Sequence, residues 1–138
     1  MNILRFLVPK SQVAYVEGDA TARQGLEKMR HHGYSVMPVL HADGTYLGVV
    51  RDSDILSLII DADFPELTEL EEIPLARVVQ SSNTPVKNSA TMRELLERVT
   101  EHNFVPVTDD RGCFIGIVRR RDIIRYFTER FLDKEEED

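Results

Sequence analysis

The sequence predicts a mixed α/β (α+β) chain made of two copies of one β-α-β-β-α unit, packed together about a pseudo-two-fold axis. Three observations predict it: an internal repeat, a proline-bearing strand followed by an Asp/Gly turn in each copy, and amphipathic helical stretches at matching positions. The repeat is visible by eye. Sliding Val36–Leu56 by 68 positions lays Pro38 on Pro106, Val39 on Val107, Gly44 on Gly112 and Gly48 on Gly116. Val50, Arg51, Asp54 and Ile55 then fall on Val118, Arg119, Asp122 and Ile123, giving eight identities in 21 positions. Upstream the offset becomes 70, with Ala20, Thr21, Arg23, Leu26, Glu27 and His32 on Ala90, Thr91, Arg93, Leu96, Glu97 and His102. The second copy is therefore two residues shorter between its helix and its proline strand.

Each element has a local reason. A short extended piece opens each copy, Val13-Ala14-Tyr15-Val16 in the first and around Val86 in the second. A helix follows, with Ala22, Leu26 and Met29 on one face, and Leu95, Leu96 and Val99 in the second copy. Thr21 and Thr91 are suited to cap these helices, and Gly33 supplies a stop for the first. Two strands come next, joined by His41-Ala42-Asp43-Gly44 and Asp109-Asp110-Arg111-Gly112, whose glycines can take a positive φ. A closing helix starts near Asp52 or Arg120, with Asp52 and Ser53 as N-cap chemistry. One copy has little room for a core of its own, so the two are expected to pack sheet to sheet and leave two related clefts between them. The expected boundaries are 5–60 for the first repeat, 61–74 for a solvated acidic linker, 75–131 for the second repeat with a short helix at Leu75–Gln80, and 132–138 for a frayed acidic tail.

Composition narrows the function classes. An apolar fraction of 42% with 30% charged residues is that of a globular protein. The longest apolar runs are too short to cross a bilayer, and the N-terminus lacks the core of a secretory signal, so no membrane association is expected. The single cysteine, Cys113, reads as a packing residue and suggests a reducing cytoplasm. A net charge of −7 argues against nucleic-acid binding. Six acids and no base lie in Asp61–Glu72, and Arg119-Arg120-Arg121 forms a basic island. No catalytic constellation is present, so the chain is not expected to be an enzyme. His31, His32, His41 and His102 lack metal-ligand spacing, and one cysteine cannot make a zinc site; no metal and no cofactor are expected. His31-His32 at a helix end suits the helix dipole.

The embedded prolines of Val36-Met37-Pro38-Val39 and Phe104-Val105-Pro106-Val107, the Asp/Gly turns, the strands with Gly48-Val49-Val50 and Gly116-Ile117-Val118, and the helices entered through Asp54 and Asp122 resemble a CBS-domain pair, or Bateman module. The resemblance covers about residues 5–130. The shortened Thr100–Val105 segment, the Gly33-Tyr34-Ser35 run and the arginine-rich last helix are similar to small stand-alone CBS proteins of Gram-positive bacteria that bind cyclic di-AMP. This implies a nucleotide-sensing regulatory protein that binds cyclic di-AMP in an inter-repeat cleft and controls a partner, a metabolic or stringent-response enzyme. It also implies a homodimer. Two alternatives stand beside it: an AMP-, ADP- or ATP-binding module, and a ligand-free structural dimerisation domain.

The resemblance places the main chain of Val13, Ala14, Tyr34, Ser35 and Val36, before and into the Pro38 strand, around the base, and the Asp122 carboxylate on the ribose. Tyr34 can stack on an adenine or pack at a strand edge. Arg119, Arg120 and Arg121 oppose the positive end of a helix, at a cost of about 0.3–1 kcal/mol each at exposed sites, which a bound phosphate would reverse. The alternative is a solvated basic helix start. The second cleft would use Val86 or Asn88, His102, Asn103 and Phe104 facing Arg51, Ser53 and Asp54; with two acids at its helix start it is expected to be empty or weaker. Both copies carry Arg (Arg51, Arg119) where CBS pairs often have Thr or Ser. Gln12, with Lys10 nearby, stands where the closer relatives often have a basic residue.

Overall fold

The computed structural model describes residues 1–137, so Asp138 of the expected acidic tail lies outside the described residues. The first copy consists of β1 (Val8–Pro9), β2 (Val16–Glu17), α1 (Ala22–His32), β3 (Val36–Leu40), β4 (Tyr46–Arg51) and α2 (Asp52–Asp61). A single turn of helix, α3 (Leu67–Leu70), lies in the linker. The second copy consists of β5 (Val86–Lys87), α4 (Met92–Val99), β6 (Phe104–Thr108), β7 (Phe114–Arg119) and α5 (Arg120–Glu137). Turns of 3-10 helix at Ile3–Phe6, Lys10–Gln12 and Leu75–Val78 complete it.

The caps act as the sequence implies. The Thr21 hydroxyl accepts from Gln24 N at 3.1 Å while the Gln24 side chain accepts from Thr21 N at 2.9 Å, a reciprocal capping box. Thr91 accepts from Glu94 N at 3.2 Å. Gly33 ends α1 with φ 68°, and Tyr34 N closes the turn on Met29 O at 3.0 Å. At α2 the cap differs from expectation. Asp52 is already helical; the Asp54 carboxylate reaches back to Arg51 N at 3.3 Å.

The repeat is exact at the level of pairing. β3 and β4 are antiparallel with Pro38 opposite Val49, and β6 and β7 with Pro106 opposite Ile117. Both hairpins carry an irregularity at the same place, Val39/Leu40 and Val107/Thr108. β2 joins β3, and β5 joins β6, in parallel. The outer edge of each sheet is closed by chain from outside its own copy. β1 pairs with β7 of the second copy, Val8 opposite Ile117 and Pro9 opposite Gly116. Gln80 bridges β4 of the first copy through two backbone hydrogen bonds with Val49, at 2.9 and 2.8 Å.

That exchange explains the glycines at 48 and 116. A Cβ at Gly48 would lie 2.4 Å from Gln80 O, and one at Gly116, where φ is 154°, would lie 2.1 Å from Val8 O. Only a residue without a side chain lets the crossing backbone come so close.

The cores follow the exchange. One contains Ile3 and Phe6 with Val86, Leu95, Val99, Val105, Val107, Val118 and Ile123. The other contains Leu75 with Val16, Met29, Met37, Val39, Val50 and Ile55. Neither core is built by one copy alone: the leader of the other copy completes each. The units meet along an aromatic seam. Tyr46 stacks on Phe114 with ring centres 6.3 Å apart, and its hydroxyl donates to Asn83 O at 2.6 Å. Burial holds this phenol well above the usual tyrosine range.

Two expectations are corrected. The linker is not merely solvated: Leu70 is buried, Ala22 N donates to Ile73 O at 2.8 Å, and Arg23 pairs with Glu71 at 2.7 Å. The acids at 133–137 form the last turns of α5 rather than a frayed tail. Phe6→Ala, though far in sequence from the second copy, should remove part of its core. It is expected to lower unfolding free energy by about 3–5 kcal/mol, measured by urea denaturation.

Candidate functional site

The crossing strands and the helix starts frame two clefts between the copies. The larger holds about 570 Å³ and is lined by Val13, Ala14, Tyr34, Ser35, Val36 and Pro38 from the first copy, facing Arg119, Arg120 and Arg121 from the second. Nine of the ten residues singled out for this cleft meet there. The tenth, Asp122, does not line it: Arg119 Nε donates to its Oδ2 at 2.8 Å, which turns the carboxylate toward its own helix start. Val8, Gln12, Asn103, Phe104, Ile117 and Ile124 complete the lining. Val8 and Ile117 could not be assigned from sequence because they arrive through the exchanged pairing of β1 with β7.

Matching hydrogen bonds fix the cleft in both copies. Asp52 N donates to Ser35 O at 2.9 Å, and Arg120 N donates to Asn103 O at 2.8 Å, tying each segment that precedes a proline strand to its closing helix. The Gly33 turn carries Tyr34 back over the end of α1, where its ring stacks on His32 at 5.5 Å between centres. Tyr34 is half exposed and presents an aromatic surface at the rim.

The three arginines divide into distinct roles. Arg119 is held by Asp122. Arg120 donates from Nε to Val99 O at 2.6 Å and from Nη2 to Thr100 O at 3.4 Å, so it satisfies carbonyls at the negative end of α4. Arg121 is exposed, and among the described residues it makes no side-chain hydrogen bond or ion pair. The cleft thus contains one cation free to meet an anion, one that would first leave a carboxylate, and one committed to the fold.

The second cleft, about 520 Å³, brings together His102, Asn103, Phe104 and Arg51 but not Ser53 or Asp54. Arg51 donates Nε and Nη2 to the two Asp54 oxygens, each at 3.0 Å, and this pairing raises its already high pKa. Gln80, Ser82 and Asn83 supply the wall expected from Val86 or Asn88, neither of which lines it. The reason is again the exchanged segment, which enters the first sheet at Gln80. Both guanidinium groups here, Arg51 and Arg120, already have protein acceptors. No group of three or more metal-binding side chains occurs among the described residues, and no helix among them is long and apolar enough to cross a membrane.

Arg120→Ala should lower stability by about 1.5–3 kcal/mol through loss of its charge-assisted bonds, whereas Arg121→Ala should change it by less than about 0.5 kcal/mol. Urea unfolding of the two variants separates these roles.

Comparison with known proteins agrees with this architecture. The CBS domain model matches the chain twice, over residues 7–61 and 75–129. Cyclic di-AMP receptor B of Bacillus subtilis is 22% identical over 121 residues, covering 88% of this chain and 82% of the receptor. The crystal structure of CbpB in complex with c-di-AMP matches with a TM-score of 0.90 at 22% identity, over 100% of this chain and 91% of that one. CBSX2 in complex with AMP matches with a TM-score of 0.73 at 22% identity, over 93% and 96%. With two CBS matches in tandem over most of its length, the chain belongs to the CBS-domain family.

Proposed function

We propose that this protein is a nucleotide sensor that binds cyclic di-AMP in the larger cleft and controls a partner protein in the cytoplasm, without catalysing a reaction. The observation that carries the reading is the meeting of Ala14, Tyr34, Ser35 and Val36 with the arginine-rich start of α5 across one cleft. A purine needs a flat apolar surface and main-chain hydrogen-bond groups; phosphates need guanidinium groups and helix-start amides. The cleft offers both kinds of group on opposite walls. Its volume falls in the range usual for small-molecule sites, about 300–1,000 Å³.

Arg121 is the first contact for phosphate in this reading. Arg119 adds a second if the ligand competes with Asp122, and the two phosphates of cyclic di-AMP favour a site with both. The second cleft takes a phosphate less well, since its guanidinium groups are engaged. AMP is the second reading, favoured by the likeness to CBSX2 with AMP. The partner, expected to be a metabolic or stringent-response enzyme, responds only if it binds the free and ligand-bound forms with different affinity.

Calorimetry with cyclic di-AMP, AMP and adenosine tests the reading. Cyclic di-AMP is expected to bind most tightly, with one principal site per chain. Arg121→Ala should weaken it by roughly 10–100-fold while leaving adenosine binding nearly unchanged. Heat from AMP with none from cyclic di-AMP would move the assignment to the second reading.

A further inference from the structure

The same arginine–aspartate pair occurs once in each copy, and the two pairs are closed to different degrees. Arg51 and Asp54 match Arg119 and Asp122 under the 68-residue offset. Arg51 is held by a fork: Nε donates to Oδ2 of Asp54 and Nη2 to Oδ1, both at 3.0 Å. Arg119 makes only the first of these bonds, Nε to Oδ2 of Asp122 at 2.8 Å, and its Nη groups have no acceptor among the described residues. The carboxylates are the sheltered members, 13% and 22% exposed against 50% and 37% for their arginines. Each guanidinium lines a cleft, Arg51 the smaller and Arg119 the larger, whereas neither carboxylate lines either one.

A carboxylate and a phosphate compete for the same guanidinium edge, because both accept paired N–H bonds in its plane. An acid built into the chain is always at hand, so an entering phosphate gains only the difference between the two contacts. The fork occupies the Nε–Nη2 edge of Arg51. The single bond leaves Arg119 both Nη groups with which to meet a phosphate before Asp122 lets go.

We propose that Asp54 and Asp122 are built-in competitors of phosphate that set how strongly each cleft accepts an anion. Asp54 closes the smaller cleft to it, and Asp122 partly restrains the larger. Both act through their arginines, as positioning residues that touch no ligand. Resting on the nucleotide reading above, the anion is a phosphate ester, and Asp122 opposes it instead of holding the ribose.

Asp54→Asn and Asp122→Asn test this, since Asn keeps an oxygen that can accept hydrogen bonds and removes the charge. Circular dichroism and urea unfolding check the fold, and Ser replaces Asn where a variant fails that check. Calorimetry is run with cyclic di-AMP, adenosine and inorganic pyrophosphate. Asp122→Asn should tighten cyclic di-AMP and pyrophosphate about three- to tenfold and leave adenosine unchanged. Asp54→Asn should raise the stoichiometry for cyclic di-AMP from one to two per chain, and adding Arg51→Ala should return it to one. Weaker adenosine binding in Asp122→Asn would put this carboxylate on the ribose and overturn the proposal. Unchanged pyrophosphate affinity in both variants, the result of a purely structural ion pair, would overturn it as well. A stoichiometry that stays at one would overturn the role of Asp54. Pyrophosphate carries no nucleoside, so it decides about the acids even if the unaltered protein gives no heat with any nucleotide, the outcome that fails the nucleotide reading alone.

Discussion

The close crossing of backbone over Gly48 and Gly116 is the constraint on which the rest depends. At each glycine a segment from outside the copy lies across the outer strand and pairs with it. The crossing seals a sheet edge that would otherwise expose unpaired backbone groups. It also carries apolar residues into the neighbouring core: Ile3 and Phe6 into one, Leu75 into the other. A unit of about 60 residues buries too little surface to be stable comfortably by itself. Exchange of leaders removes that difficulty without merging the two cores. It also delivers Val8 and Gln12 to one cleft and Gln80 to the other, so the same contact that stabilises the fold builds the walls of the cavities.

Much of this was legible in the sequence because the repeat is a physical record of pairing. The shared offset said that the two hairpins are alike, and Pro38 and Pro106 do occupy the same register in both. The larger cleft was legible too, since most of its wall comes from positions flanking the proline strand and the last helix. What escaped was non-local. No pattern in Met1–Pro9 says that it pads the second copy rather than the first. The length of β2, two residues, was hidden because Val13, Ala14 and Tyr15 continue its apolar pattern but lie outside the sheet. The linker's buried Leu70 sits among acids that read as solvated.

Electrostatics at the helix starts was only half legible. Three consecutive arginines announce a basic island, but their partners are set by geometry. Arg119 and Arg51 each fold back on an aspartate three residues later, one turn on, which is an intrinsic tendency of that spacing. Arg120 points the other way, to Val99 and Thr100 at the end of α4, a fastening its counterpart Asp52 cannot make because a carboxylate has no hydrogen to donate to a carbonyl.

Val36, Asn103, Phe104 and Arg120 line both clefts. The cavities are therefore separated by a single partition rather than by independent walls. Any occupant that displaces the partition alters the space and the hydrogen-bond groups available on its far side. Thermodynamic linkage then requires the influence to be mutual: whatever factor filling one cleft imposes on the affinity of the other is returned unchanged in the opposite direction. Two molecules of different chemistry, one on each side, would each set how much of the other this protein holds at a given concentration.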